Sequence, residues 1–231
     1  DVQYLEEPAF SEWINVVNYK NYLLNDKILD WFNLYGEKKG YVKDSNVTEN
    51  EFYGHLKKNK DAFKKIIVQR CRDTFGKSHC IEVNWNRSNG FWKAYDKTLK
   101  AIESDKICIV GGILCDLKEK QYGASDILLR SDQFNRIFNN FENNNDLEDV
   151  IENDLALEDE TNLYGHHTYT LINLESKVIY LLKKDNTISS KRDNLPLIIS
   201  SKILTGILNK IQKHNNTKSF VLSKYYFKNN E

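Results

Sequence analysis

Asp126 is an acidic residue inside a short apolar segment, ASDILLR, and this segment constrains the fold more than any other. The surrounding sequence predicts a strand over residues 107–114, a short polar turn, a second strand over residues 125–129 and a helix that starts at residues 130–132. A sheet of such apolar strands is buried, and a carboxylate there is costly unless it is paired or holds a metal ion. The segment therefore predicts either a carboxylate satisfied by neighbouring groups or a metal ligand.

The length and composition predict one folded domain over residues 1–231. Hydrophobic residues make up 40% of the chain, which suffices for a substantial core. No apolar run approaches the length of a membrane span. The four cysteines are scattered without a CxxC pair, which favours small buried thiols in a reducing compartment over disulfides or metal ligands.

Helices are predicted on either side of the strands. A helical N-terminal part, about residues 11–70, ends in an amphipathic helix over residues 51–70, and Pro196 opens a helix over residues 197–213. The sequence HHTYTLINLESKVIYLL predicts a β-hairpin with a turn near residues 175–177, and SFVLSKYYF predicts a last strand over residues 219–227. Residues 142–163 are too charged to pack firmly and are predicted to be a mobile insertion. The order of elements predicts a mixed α/β (α+β) fold, with a central mixed β-sheet flanked by helices.

The charge balance argues against a strongly electrostatic DNA-binding protein. The chain has 33 basic and 33 acidic residues, so its net charge is zero. The lysines are concentrated locally, and the helix predicted over residues 51–70 carries many of them on one side. Such a face is either simply solvated or placed against a phosphate backbone.

Five segments together resemble one nuclease family. In chain order they are WINVVNYKNYLLNDKILDWFNLYGEKKGY, YGASDILLRSDQFNRIF, HTYTLINL, an LP dipeptide before a helix, and SFVLSKYY. They resemble the λ-exonuclease/YqaJ-like members of the PD-(D/E)XK nuclease superfamily carried by large DNA viruses, to which the CRISPR-associated RecB-like nucleases are related. The resemblance runs from Trp13 to Tyr226 and is most specific around Asp126. It implies a restriction-endonuclease-like core.

The resemblance also implies metal-assisted hydrolysis of DNA. In this family two carboxylates on neighbouring strands, usually helped by a glutamate from a helix, hold one or two metal ions. A lysine two residues past the second carboxylate orients the water. Matched to this sequence, the first carboxylate is Asp126 and the second position holds Asn173. The position of the lysine holds Glu175, and that of the helical glutamate holds Lys64.

The helix after Pro196 also departs from the family's pattern. The family tends to place Gln and Tyr there, where this chain has Ser200 and Ser201. One carboxylate remains of three, and a single Asp beside a neutral amide is a poor site for Mg²⁺, which prefers anionic oxygen. The matched residues therefore predict a degenerate site that cuts DNA weakly or not at all.

An alternative keeps the catalytic chemistry with displaced residues. Glu175 and Lys177 retain the D/E-x-K spacing on the strand face of Asn173. On this hypothesis Asp126, Asn173, Glu175 and Lys177 form the catalytic group. Asp126 and Glu175 are then the metal ligands, and Mg²⁺ or Mn²⁺ is the cofactor.

DNA is the expected partner under either interpretation. A homo-oligomer or an active nuclease paralogue is a further expected partner, and the expected location is the host cytoplasm or a viral factory, without membrane association. Three functions are open: a nuclease-fold protein that binds DNA in viral replication, recombination or defence without efficient cleavage; an active Mg²⁺-dependent exonuclease or endonuclease; and a structural or protein-interaction module. The predicted DNA-binding residues are Lys57, Lys58, Lys64, Lys65, Arg130 and Lys202.

Overall fold

The computed structural model describes residues 13–23, 27–42, 51–85, 90–138, 167–182, 194–214 and 217–229. Within these ranges the chain contains both helices and strands, and the predicted mixed α/β fold is confirmed. The strands are β1 (Ile14–Asn15), β2 (Cys80–Glu82), β3 (Cys108–Val110), β4 (Ile113–Asp116), β5 (Gln121–Ala124), β6 (Ile127–Arg130), β7 (Tyr169–Leu182) and β8 (Ser219–Asn229). The α-helices are α1 (Tyr19–Leu23), α2 (Lys27–Trp31), α3 (Glu51–Phe75), α4 (Phe91–Glu103), α5 (Phe134–Phe138) and α6 (Leu195–Gln212).

The larger sheet has the strand order β2-β3-β6-β7-β8. Strands β3, β6 and β7 form an antiparallel run, with Ile127 of β6 opposite Ile172 of β7. The outer strands are parallel to their neighbours, β2 to β3 and β8 to β7. The chain between β7 and β8 contains α6, which packs against the sheet, as a parallel crossover requires.

The sheet separates two hydrophobic clusters. Alternate side chains of a strand point to opposite faces, so Ile127 and Leu129 pack in the cluster with α3 and α5, whereas Leu128 packs in the cluster with α4 and α6. In β7, Ile172 and Leu174 lie on the α3 side and Leu171 on the α6 side. The domain therefore has three layers: a layer of helices, the sheet and a second layer of helices.

A smaller sheet adjoins the α4 and α6 layer. Its strand order is β1-β5-β4, and its core residues belong to the same cluster as α4 and α6. The single strand predicted over residues 107–114 was wrong, because Gly111 has φ +70° and divides the segment into β3 and β4, which enter different sheets. The polar turn that was predicted before residue 125 instead contains β5, which pairs with β4.

The hairpin predicted around residues 175–177 was also wrong. Strand β7 is continuous over 14 residues and pairs with β8 from Leu171–Ser219 to Leu182–Asn229. The interruption of the apolar alternation coincides with an irregularity of register between Glu175 and Val178. No Gly, Pro or Asn stands at this point to support a tight turn, and a parallel partner of matching length holds the strand extended.

Other predicted elements are confirmed, some with longer bounds. The amphipathic helix predicted over residues 51–70 is α3 and continues to Phe75, and Pro196 stands in the first turn of α6. The predicted last strand is β8. Residues 142–163, where the mobile insertion was predicted, lie outside the described residues. Within the described ranges, no helix combines the length and the apolar character needed to cross a bilayer.

Candidate nucleic-acid interface

Asp126 lies in a bend immediately before β6. Its backbone oxygen accepts a hydrogen bond from the Gly111 amide at 3.0 Å, and its carboxylate oxygen Oδ2 accepts one from the Leu174 amide of β7 at 2.9 Å. The carboxylate thus takes the place of a strand carbonyl where the β6–β7 ladder ends. This local role satisfies one backbone donor and holds the side chain at the sheet.

Two lysines of α3 reach the same carboxylate. Lys60 Nζ lies 3.8 Å from Asp126 Oδ2, and Lys64 Nζ lies 3.7 Å from Oδ1. The lysines are four residues apart and hence neighbours on one face of the helix. The Asp126 side chain is 21% exposed, against 44% for Lys60 and 31% for Lys64, so solvent still reaches the group. The charge of Asp126 is therefore balanced by two ammonium groups.

Asn173 is directed to the other layer of helices. Continuing the β6–β7 register by one residue from Ile127–Ile172 places Asn173 opposite Asp126. Its side chain is buried, however, and its Nδ2 donates to Ser201 Oγ of α6 at 2.7 Å. Asn173 and Ser201, two neutral residues at positions matched to the family's motif, are thus hydrogen-bonded to each other. Ser200 makes a local bond instead, from its Oγ to the Leu197 carbonyl at 3.0 Å.

Glu175 stands two residues past Asn173 at the start of the register irregularity in β7. It pairs in register with Ser223 of β8, on the side of β7 away from β6. Strand alternation assigns its side chain to the face of Asn173, whereas the carboxylate of Asp126 meets α3 on the other face. The backbone of Lys177 belongs to β7, and its side chain lies outside the described part of the chain.

The residues gathered at Asp126 do not fit a Mg²⁺ or Mn²⁺ site. These hard cations need several anionic oxygens, whereas Asp126 contributes one carboxylate with two ammonium groups within 4 Å. In the ranges that the structure covers, no three or more His, Cys, Asp or Glu side chains converge as metal ligands would. The arrangement is chemically suited to an anion, because the cations outnumber the acid.

The predicted DNA-binding lysines are divided between the two helix layers. Lys57, Lys58 and Lys65 are exposed on α3, the helix that also provides Lys64. Lys202 is exposed on α6, across the sheet. The α3 lysines can therefore act together on one ligand surface, and Lys202 belongs to a different surface.

Arg130 is held in an internal ion pair. Its guanidinium donates from Nε to Asp132 Oδ1 at 2.9 Å and from Nη2 to Oδ2 at 2.5 Å, and both side chains are mostly covered. Burial by itself raises the pKa of Asp132, but the hydrogen bonds from Arg130 and Gln133 hold that pKa below its usual range. The hydrogen bond to Asp132 raises the pKa of Arg130 further. This arginine therefore serves the start of α5 rather than an external phosphate.

An open groove of about 1300 Å³ follows α3 away from Asp126, and Lys64 lines it as well as contacting the carboxylate. Three arginines absent from the predicted set also line it. Arg72 Nη2 pairs with Glu82 Oε2 at 3.1 Å, and Arg70 donates to the Ile137 carbonyl at 3.2 and 3.3 Å. Arg136 lies over the Phe75 ring, 5.3 Å from its centroid.

One of the missed arginines, Arg72, has an identifiable sequence signal. The apolar residues Ile67, Cys71 and Phe75 recur every four residues and share one cluster, so this spacing would have extended the predicted helix past residue 70. Arg72 then falls on α3 itself. Arg136 has no comparable signal, because only the tertiary structure brings α5 beside α3.

Comparison of the chain with protein-family models, with curated proteins and with solved structures gave no match.

Proposed function

We propose that this chain is a DNA-binding protein with a restriction-endonuclease-like core, and that it holds DNA along α3 without cleaving it. The observation that carries the proposal is the pair of lysines, Lys60 and Lys64, at the carboxylate of Asp126. Ammonium groups attract phosphate but cannot serve as metal ligands. A nuclease site converted in this way loses its cofactor and keeps its affinity for the substrate backbone.

The resemblance to the nuclease superfamily is supported by the relative positions of three residues. Asp126 and Asn173, matched to the two strand carboxylates, face one another when the β6–β7 register is continued by one residue past Ile127–Ile172, although the Asn173 side chain turns to Ser201. Lys64, matched to the helical glutamate, contacts Asp126 from α3. The backbones of these positions thus come together as the resemblance requires. Of the two partners, only Lys64 meets the Asp126 carboxylate, and two of the three residues no longer carry an acid.

The cationic face of α3 supplies the binding surface. Lys57, Lys58 and Lys65 are exposed, and Arg70, Arg72 and Arg136 line the adjoining groove. The acids Asp61, Asp73 and Glu82 line the same groove and offset part of this charge. Because the chain as a whole is neutral, we expect moderate affinity that depends strongly on salt.

The proposal is tested by measuring DNA binding and cleavage on the same protein. Fluorescence anisotropy with labelled linear duplex and single-stranded DNA, repeated at several salt concentrations, gives the affinity and its salt slope. We expect log K to fall linearly with log salt, by about 0.9 for each duplex phosphate neutralised. Incubation with the same DNA in Mg²⁺ and in Mn²⁺ is expected to leave it intact.

Charge-reversal variants identify the surface that binds DNA. Changing Lys57, Lys58 and Lys65 to Glu is expected to abolish binding, whereas Lys202→Glu, an exposed lysine on α6, is expected to leave the salt slope unchanged. Cleavage that Asp126→Ala abolishes would establish an active nuclease instead. Absence of both binding and cleavage would refute the proposal and favour a protein-interaction module.

A further inference from the structure

Three of the four cysteines lie together at the edge of the larger sheet. Cys80 of β2 and Cys108 of β3 are register partners on adjacent parallel strands. Cys71 of α3 and Cys108 belong to one hydrophobic cluster, and Cys80 packs against it. Hydrogen bonding to the Cys71 and Cys80 thiols is the main cause that raises the pKa of Cys108. All are free thiols. The sequence predicted scattered cysteines that are small buried thiols, and the fold brings three of them together.

The thiols of this cluster differ in access. Cys80 is only partly buried, whereas Cys71 and Cys108 are buried. The hydrogen bond from Cys108 lowers the pKa of Cys80, as does the nearby Arg72 guanidinium, against the opposing effect of burial. Contact with the other two thiols and burial raise the pKa of Cys108. Cys80 therefore has more thiolate character and better access, and its neighbour is a protonated thiol.

We propose that Cys80 and Cys108 are a reversible oxidation site that forms a disulfide between β2 and β3 when the protein meets a hydroperoxide. Adjacent strands are spaced about 4.7–4.9 Å apart, which lies within the Cα separation of about 4.4–6.8 Å that disulfides tolerate. Register partners on adjacent strands thus meet the requirement on the separation of the Cα atoms.

The reaction consists of two displacements. The Cys80 thiolate attacks one oxygen of hydrogen peroxide, the O–O bond breaks, and the departing hydroxide takes up a proton to become water. Cys80 is then a sulfenic acid. The sulfur of Cys108 attacks the Cys80 sulfur, and the hydroxyl group leaves as water with the thiol proton. Two thiols lose two electrons and two protons, and one peroxide becomes two waters.

The test uses the whole chain and hydrogen peroxide alone, so it does not depend on the proposed DNA binding. After treatment, free thiols are blocked with an alkylating reagent in denaturant, and the protein is digested and mapped by mass spectrometry. We expect a linked peptide pair that contains Cys80 and Cys108 and is lighter by two hydrogens. Reduction by dithiothreitol should restore both thiols.

Cys115 is the internal control. It is buried in the other hydrophobic cluster, and burial together with Asp116 raises its pKa to about 12. Cys115 and Cys71 should therefore stay reduced during peroxide treatment and be alkylated afterwards as free thiols. A disulfide that involves either of them, or no linked pair at peroxide doses that oxidise Cys80, would overturn the proposal.

Two variants separate the oxidation of Cys80 from the formation of the disulfide. Cys108→Ser removes the second thiol and should leave Cys80 as a sulfenic acid that a dione probe labels, with complete loss of the linked peptide. Cys80→Ser should prevent both labelling and linkage. Labelling of Cys108 in the Cys80→Ser protein would reverse the assigned roles and contradict the proposal.

Discussion

The negative charge of Asp126 is compensated by groups of the same domain. Its carboxylate accepts the Leu174 amide and stands beside Lys60 and Lys64. A backbone donor and two partly exposed cations are enough to hold an acid at the end of a buried strand. Of the two interpretations that the apolar segment allowed, satisfaction by neighbouring groups is the one that the described contacts match.

Removal of this acid should strengthen DNA binding. Asp126→Asn keeps an oxygen for the Leu174 amide and removes the negative charge that neutralises Lys60 and Lys64. We expect a higher affinity and a salt slope steeper by about 0.9 for each lysine that gains a phosphate contact. Lys64→Ala should have the opposite effect on both quantities, measured by anisotropy.

The matched control is Asp96→Asn. Asp96 pairs with Lys100 at 2.7 Å on α4, in the helix layer across the sheet from α3. Its loss should change neither the affinity nor the salt slope. Equal strengthening by both variants would mean that net charge alone, rather than the α3 surface, governs binding.

At the level of elements, the break between β3 and β4 places these two strands in different sheets. Gly111 has φ +70°, and its amide donates to the Asp126 carbonyl. A Cβ added there would lie 2.7 Å from the Val83 carbonyl oxygen. The backbone at this point thus requires a glycine for both its conformation and its close approach to another strand end.

Gly111→Ala is therefore expected to destabilise the domain severely. The left-handed conformation alone costs about 1–2 kcal/mol for a residue with a side chain, and the clash with Val83 adds to this. Urea denaturation measures the change in free energy of unfolding. Gly40→Ala is the control, because Gly40 has φ +82° and nothing within 4 Å of its added Cβ. Equal losses for the two variants would show that the close contact does not matter.

For the whole molecule, one buried side chain connects the start of β7 to the end of α6. The Oε1 atom of Gln212 accepts a hydrogen bond from the Tyr169 amide, and its Nε2 donates to Thr217 Oγ1 at 3.1 Å and to the Tyr169 carbonyl at 3.5 Å. The two bonds to Tyr169 join residues that are 43 apart in sequence. They attach the end of α6 to the start of β7.

Gln212→Ala should lower the free energy of unfolding by about 1–3 kcal/mol, since a buried backbone amide loses its partner. The measurement is again urea denaturation, with an unchanged m-value. Lys202→Ala, at an exposed position of the same helix, should change stability little. A Gln212 variant as stable as the Lys202 variant would mean that water replaces the lost bonds.

Much of the element order was predictable, because it depends on local patterns. The apolar spacing of α3, Pro196 at the start of α6 and the alternation in β8 are properties of neighbouring residues. The errors arose where a distant partner decides the outcome. Glu175 interrupts an alternating pattern as a turn would, and only the parallel pairing with β8 keeps β7 extended.

The sequence by itself determined the helices and strands that have clear local patterns, such as α3, α6 and β8, and the positions that could carry chemistry, since periodicity, proline and the few acids in apolar segments are local facts. Only the tertiary structure decided how those positions combine. It put Lys60 and Lys64 against Asp126, turned Asn173 towards Ser201 and gathered three cysteines. The physical reason is that these contacts join residues distant in sequence, and their energies depend on separations that no local pattern encodes.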